Sequence, residues 1–264
     1  MSEGKATLEA KVSEWLSTEG YRLEYLTSKA FRDAGLRTTM SYHVESEEGK
    51  RRELDVTAMS KNSSEERPVV ARVVCECKYS KEHPWVLLTQ GLKAHFWADW
   101  VSVPKSTPLR ETTSLTKQAK ATLEGCWHFD ARHVFAHGLV QAMKKDNRDI
   151  AFDSLQKIAN AAWDCAEAPE RRGFPAHIFV IPCIVVEAPL FLSWYNHDAG
   201  RFEVKPTKIG RLSWSGCREG TLVDVVHIDG LAEYAVEVKR TLDTVVQVVE
   251  GITEAHELEV EDDR

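Results

Sequence analysis

Two short stretches, Arg52-Glu53-Leu54-Asp55-Val56 and Val74-Cys75-Glu76-Cys77-Lys78, decide how the whole 264-residue chain is read. Around the first, Leu54, Val56 and Ala58 alternate with Glu53, Asp55 and Thr57, the period of a half-buried strand over 52–60. Around the second, Val69–Tyr79 is apolar almost throughout, as a central strand requires. The polar residues 61–68 between them read as a loop, so the two strands pair as a hairpin that brings Asp55 beside Glu76. Side chains alternate along a strand, so Glu76 and Lys78 share one face and Cys75 and Cys77 the other. A carboxylate and an ammonium on an otherwise apolar strand are costly to bury unless something uses them. Two adjacent carboxylates repel unless a proton or a cation intervenes. Mg²⁺ answers that need, since it takes oxygen ligands, often one or two carboxylates together with water and substrate phosphate.

Outward from this hairpin, Leu8, Val12, Trp15 and Leu16 recur at helical spacing over 5–19, and Leu23, Leu26, Ala30 and Phe31 do so over 23–34. Gly35 sits where a helix C-cap is wanted. Residues 38–45 look extended, and Ser46-Glu47-Glu48-Gly49-Lys50 forms a polar turn. The order is therefore helix, three strands, helix. Further on, Leu92, Phe96 and Trp97 predict a helix over 89–101, and helices are expected at 131–145 and 149–167, with a break at 169–175. A buried strand follows at 176–187. Strands 190–195 and 201–206 flank the turn formers Asn196-His197-Asp198-Ala199-Gly200. A strand at 222–228 and a helix at 231–249, with Leu231, Tyr234, Ala235, Val238 and Leu242 on one stripe, close the body. No internal repeat or low-complexity linker interrupts this pattern. The expectation is one α/β domain over 1–250, with a core at 20–101 plus 176–250, a helical insertion at 102–175 and a frayed acidic tail at 251–264.

Composition narrows the class. Glycine and proline number only 14 and 9, which excludes a collagen-like or Pro/Gly-rich disordered chain. No stretch approaches the ~20 apolar residues of a membrane helix, and the polar start Met1-Ser2-Glu3-Gly4-Lys5 has no apolar leader, so a cytoplasmic location with reduced cysteines is expected. The net charge is −7, and residues 254–264 carry six of the acids against one arginine. Such a chain does not coat nucleic acid through bulk charge, although a local basic groove is compatible with it.

The helix carrying Glu24, the strand with Asp55 and the Glu76-Cys77-Lys78 element together resemble the PD-(D/E)XK nuclease superfamily, the restriction-endonuclease-like fold. The local text is most similar to its Mrr-like and Holliday-resolvase-like branches. The resemblance covers roughly 20–100 well, weakens over 102–170 and is generic after 175. It implies a mixed central sheet flanked by helices, with a C-terminal strand-helix extension. It further implies a Mg²⁺-dependent endonuclease (Mn²⁺ substituting) that hydrolyses DNA in defence against foreign DNA or in repair. Asp55 and Glu76 would hold the metal with the backbone carbonyl of Cys77, Lys78 would steady the water or phosphate, and Glu24 would be a further metal or water ligand. Gln90 corresponds to a polar helix residue used beside the site in some members. Arg52 and Glu53 would support the site, and Lys50, Arg51, Arg52 and Trp85 would contact nucleic acid. Leu54 stands where the superfamily name has proline. The partner implied is DNA, with a homodimer or a defence complex as the assembly. The alternative is a non-cleaving nucleic-acid-binding or scaffold module that keeps the fold.

Three other patterns point elsewhere and are weaker. Asp224 with Glu237-Val238-Lys239 repeats the letters of the motif, but Glu237 and Lys239 fall on a helical stripe, where residues two apart do not share a face. Cys75 and Cys77 lack the second ligand pair of a zinc site and read as buried thiols. His133 and His137, with His128 nearby, have zinc-compatible spacing on the expected helix but no glutamate between them, so they read as packing or surface histidines. Trp85, Trp97, Trp100 and Trp127 read as core or rim aromatics more readily than as base-stacking platforms, with Trp85, just after the Glu76 strand, the one to expect against nucleic acid.

Overall fold

The computed structural model describes residues 7–18, 20–62, 64, 68–80, 83–93, 100, 102–111, 117–130, 134–143, 149–174, 176–216 and 220–262. Helices α1 (Leu8–Thr18) and α2 (Tyr21–Asp33) lead into strands β1 (Arg37–Glu45), β2 (Arg51–Lys61), β3 (Val69–Tyr79) and β4 (Trp85–Lys93). Short helices α3 (Thr107–Glu111) and α4 (Lys117–Glu124) and a 3-10 turn (Trp127–Phe129) precede β5 (Val134–Gln141) and the long helix α5 (Ile150–Arg171). Strands β6 (His177–Glu187), β7 (Leu190–Asn196), β8 (Arg201–Pro206), β9 (Ile209–Trp214) and β10 (Thr221–His227) then lead to helix α6 (Leu231–Asp262). All ten strands form one mixed sheet in the order β1-β2-β3-β6-β10-β9-β5-β4-β7-β8. The pairs β1–β2 and β2–β3 are antiparallel, whereas β6 lies parallel to both β3 and β10.

Helices cover both faces of the sheet. On one face α2 and α6 bury Leu23, Phe31, Tyr234, Val238 and Leu242 against Val56, Val73, Cys75, Phe179 and Val185. On the other, α5 buries Leu155, Ile158, Ala161 and Ala162 against Leu54, Val74, Ile184 and Val186. Local chemistry sets the ends of these helices. Asp149 caps α5 by accepting from the N–H groups of Ala151 and Phe152. At its other end Gly173, at φ 72, lets the Phe174 N–H reach the Pro169 carbonyl, which closes the helix. Gly35, at φ 89, does the same for α2, with the Leu36 N–H donating to the Phe31 carbonyl.

Several sequence expectations need correction. Residues 102–175 are not a helical insertion, because β5 lies inside the main sheet, paired with β4 and β9. The helix expected at 131–145 is therefore a strand over 134–141. The helix expected at 89–101 is the second half of β4 as far as Lys93, and 94–99 fall outside the described residues. Pro169 lies within the last turn of α5 instead of ending it. Strand β9, absent from the sequence reading, fits because Gly210 has no Cβ: one placed there would lie 2.1 Å from Leu87 Cδ1. The acidic tail continues α6 as helix through Asp262.

Candidate active site

The sheet irregularity at Asp55 shapes the site. Met40 and Val56 pack in the layer of α2 and α6, whereas their neighbours Tyr42 and Leu54 pack in the layer of α5. Both strands therefore turn over between these positions, and Ser41, at φ 50, takes up the bend on β1. The β2–β3 pairing stops at Val56 and Cys75. One residue beyond, the Asp55 carboxylate replaces the backbone ladder and accepts from the Cys77 N–H through Oδ2 at 2.7 Å.

Glu76 and Lys78 project from β3 toward α5, as the strand alternation requires. Glu76 is 1% exposed. The Lys78 ammonium donates to its Oε1 at 2.5 Å. The Lys157 ammonium, from α5, pairs with Oε2 at 2.6 Å. Two carboxylates and two ammonium groups thus meet at one place, and Asp55, Glu76 and Lys78 converge. Burial, followed by the charge of Glu76, pushes the Asp55 carboxyl up from its ordinary value. Burial, followed by the charges of Asp55 and Glu53, pushes Glu24 up as well. Glu24 therefore feels the site from α2. That helix is held over β3 by Thr27, which accepts from the Cys77 thiol at 3.5 Å, and to the end of β6 by Arg22, paired with Glu187 at 2.7 Å. Scans against protein families, curated proteins and solved structures find no match for this chain.

The residues present suit a hard divalent cation in part. Asp55 and Glu76 offer oxygen donors whose mutual repulsion a cation would relieve. Among the described residues, however, no three His, Cys, Asp or Glu side chains gather closely enough to form a ready metal cage. Glu24 forms no such cage with Asp55 and Glu76, and it is the N–H of Cys77 that contacts Asp55.

The remaining expected site residues lie elsewhere. Trp85 is 1% exposed and packed into the α5 layer, so it presents no face for a base to stack on. Gln90 is exposed on β4, five strand positions from β3 and so roughly 24 Å away at about 4.8 Å per step. It lines a cavity of about 890 Å³ with His137, Ser193, Tyr195 and Phe202. Arg52 turns inward to pair with the buried Asp164 of α5 at 3.0 Å. Lys50 and Arg51 are exposed at the β1–β2 turn, Lys50 against Glu48 at 2.8 Å. Burial pushes the Cys75 and Cys77 thiols well up, as inert core cysteines require. His137 is on a strand, His133 falls outside the described residues, and Glu237 and Lys239 lie on α6. The sequence reading missed Lys157. Its only signal was a charge beside the apolar stripe of α5, the pattern of any solvated helix edge.

Removing the Asp55 charge should strengthen the fold. A carboxyl raised in the fold contributes stability that is fully present below its unfolded value, near 3.8, and is lost as pH rises through the higher folded value. At neutral pH the charged Asp55 therefore works against folding. Asp55→Asn keeps an oxygen to accept from Cys77 and should gain ~1 kcal/mol at pH 7 without divalent cation, about 2–4 °C in Tm. The gain should vanish near pH 3. An unchanged or lower Tm at pH 7 would refute this account of the site.

Proposed function

We propose that this chain is a metal-dependent endonuclease that hydrolyses DNA phosphodiester bonds, with Asp55, Glu76 and Lys78 as the catalytic group and Mg²⁺ or Mn²⁺ as cofactor. The observation that carries this reading is the meeting of Asp55, Glu76 and Lys78 where the β2–β3 ladder ends, with Glu76 sealed from water. The preceding helix with Glu24 and the antiparallel run β1–β2–β3 are consistent with the nuclease resemblance of the sequence. Asp55 and Glu76 would hold the cation, which when bound supplies charge neutralisation at the phosphate and a water of lowered pKa. Lys78, about a third exposed, reaches outward from Glu76 and can bind a phosphate oxygen or orient the attacking water. Glu24, on the preceding helix and within electrostatic reach of Asp55, would be a further ligand to metal or water. Defence against foreign DNA or repair is the role this chemistry would serve, in the cytoplasm.

The test is a panel of end-labelled duplex, single-stranded, branched and RNA substrates with Mg²⁺ or Mn²⁺. Cleavage of DNA that stops on addition of a chelator is the expected outcome; cleavage that survives the chelator contradicts the carboxylate assignment. One observation favours a second reading, a non-cleaving nucleic-acid-binding or scaffold module: Glu76 already has an ammonium on each oxygen. That module would bind the same panel without cutting it under any divalent cation. No helix among the described residues is long and apolar enough to cross a membrane.

A further inference from the structure

We propose that Lys157 is a built-in counter-ion that holds the carboxylate site closed in the cation-free protein. It is handed to a substrate phosphate once a divalent cation takes its place on Glu76. The inference rests on the nuclease reading above and concerns how that same site is regulated.

Lys157 and Lys78 reach Glu76 from different elements, with different freedom. Lys78 lies two residues along the same strand as Glu76, on the same face, and holds Oε1. Lys157 comes from α5, its ammonium 2.6 Å from Oε2, and its side chain is 36% exposed. It is thus a charge held by attraction on a long, flexible stem with a route to water. A cation that ligates Glu76 must compete for Oε2, and like charges cannot share it. The displaced ammonium would remain tethered beside the site, where the dianionic character of Asp55 and Glu76 is now answered by the metal. The nearest new anion for it is a phosphate of the substrate, which a lysine binds as a point charge. The helix carrying Lys157 is itself fixed to the β1–β2 hairpin by the Arg52–Asp164 pair at 3.0 Å and by Arg171 donating to the Glu45 carbonyl at 2.6 Å. The exchange therefore needs only a side-chain swing, with α5 staying where it is.

The experiment uses Lys157→Gln, Lys157→Met and Lys157→Arg. Calorimetric titration with Mn²⁺ alone should show three- to tenfold tighter binding in the Gln and Met variants, because no ammonium has to be displaced, and near wild-type binding in the Arg variant. In a Lys78→Ala background, which prevents cutting, the affinity for a labelled DNA duplex in Mn²⁺ should fall about tenfold with Lys157→Gln and recover with Lys157→Arg. The salt dependence of binding should lose about one charge's worth of slope. Mn²⁺ binding by Lys157→Gln that equals or falls below wild type overturns the proposal, as does unaltered duplex affinity. A wild-type chain that binds no Mn²⁺ and cuts nothing sinks the nuclease reading together with it. A wild-type chain that binds Mn²⁺ and cuts DNA, with variants indistinguishable from it, removes the role of Lys157 alone.

Discussion

Lys78→Ala should lower phosphodiester cleavage about 1,000-fold, the usual size of losing one group that answers charge developing in the transition state, while the protein stays folded. The fold should survive because Lys78 sits at the outer end of β3 with about a third of its side chain in water, and the packing of β3 against β6 does not depend on it. The variant also leaves Glu76 one counter-charge, Lys157, so the buried carboxylate is not stranded. Single-turnover cleavage and circular dichroism on the same preparation check both halves. Wild-type cleavage by a well-folded Lys78→Ala protein would remove Lys78 from the chemistry. Lys78→Arg is a useful companion: it keeps the charge but not the compact ammonium, and should recover little activity.

The largest effect on stability is expected two strands from β3, at a carboxylate on β10 level with Cys75. Asp224, 1% exposed on β10, accepts from Arg211 Nε at 2.8 Å and from the Tyr234 hydroxyl at 2.8 Å, and His128 Nε2 lies 3.0 Å away. His128 contacts the Thr241 hydroxyl at 2.9 Å, and Arg211 stacks 4.8 Å from the Trp127 ring and donates to the His128 carbonyl. Burial alone would push Asp224 up, but Arg211 first and His128 next hold its carboxyl well below the usual range. Arg211→Met leaves that charge uncompensated in the core and should cost about 3–5 kcal/mol. Urea unfolding would show it as a lower midpoint at unchanged slope; a loss within 1 kcal/mol would mean that His128 and Tyr234 suffice. The pH sense is opposite to that at Asp55. A depressed carboxyl contributes stability that is present above its unfolded value, near 3.8, and is lost as pH falls toward the folded value.

This network explains the false copy of the motif in the sequence. Asp224 is placed on a central strand like Asp55, yet its partners are an arginine, a histidine and a tyrosine from β9, the 3-10 turn and α6, and the pattern Glu237-Val238-Lys239 has no part in it. His128, noted in the sequence only as a neighbour of the His133 and His137 pair, is a core partner of this carboxylate.

What was legible in the sequence, and what was not, follows from the range of the interactions involved. The runs forming β2, β3 and β6 could be read because each is continuous and bounded by polar turns, and Asp55, Glu76 and Lys78 came with them. Strands β4 and β5 were hidden. Trp85, Leu87 and Thr89 alternate inward with a period of two, but a reading begun at Thr89 cuts that alternation in half and leaves Leu92, Phe96 and Trp97 to suggest a helix. In β5, Phe135 and Leu139 stand four apart by accident of a strand whose partners, Thr89 and Arg211, lie far off in the chain. Trp85 was singled out for nucleic-acid contact because its burial depends on that same distant pairing. Lys157 was invisible for a related reason: nothing near it in sequence reveals that an acid 81 residues earlier waits across the α5–β3 contact.

The bend shared by Ser41 and Asp55 has a consequence for how this molecule can change over time. Where paired strands flip over, a side chain belongs to neither greasy layer, and exchanging it opens no cavity. Position 55 can therefore change its charge with the scaffold intact, provided that its side chain still accepts from the Cys77 N–H. Glu76 is sealed between strand and helix and can be altered only together with the neighbours that enclose it.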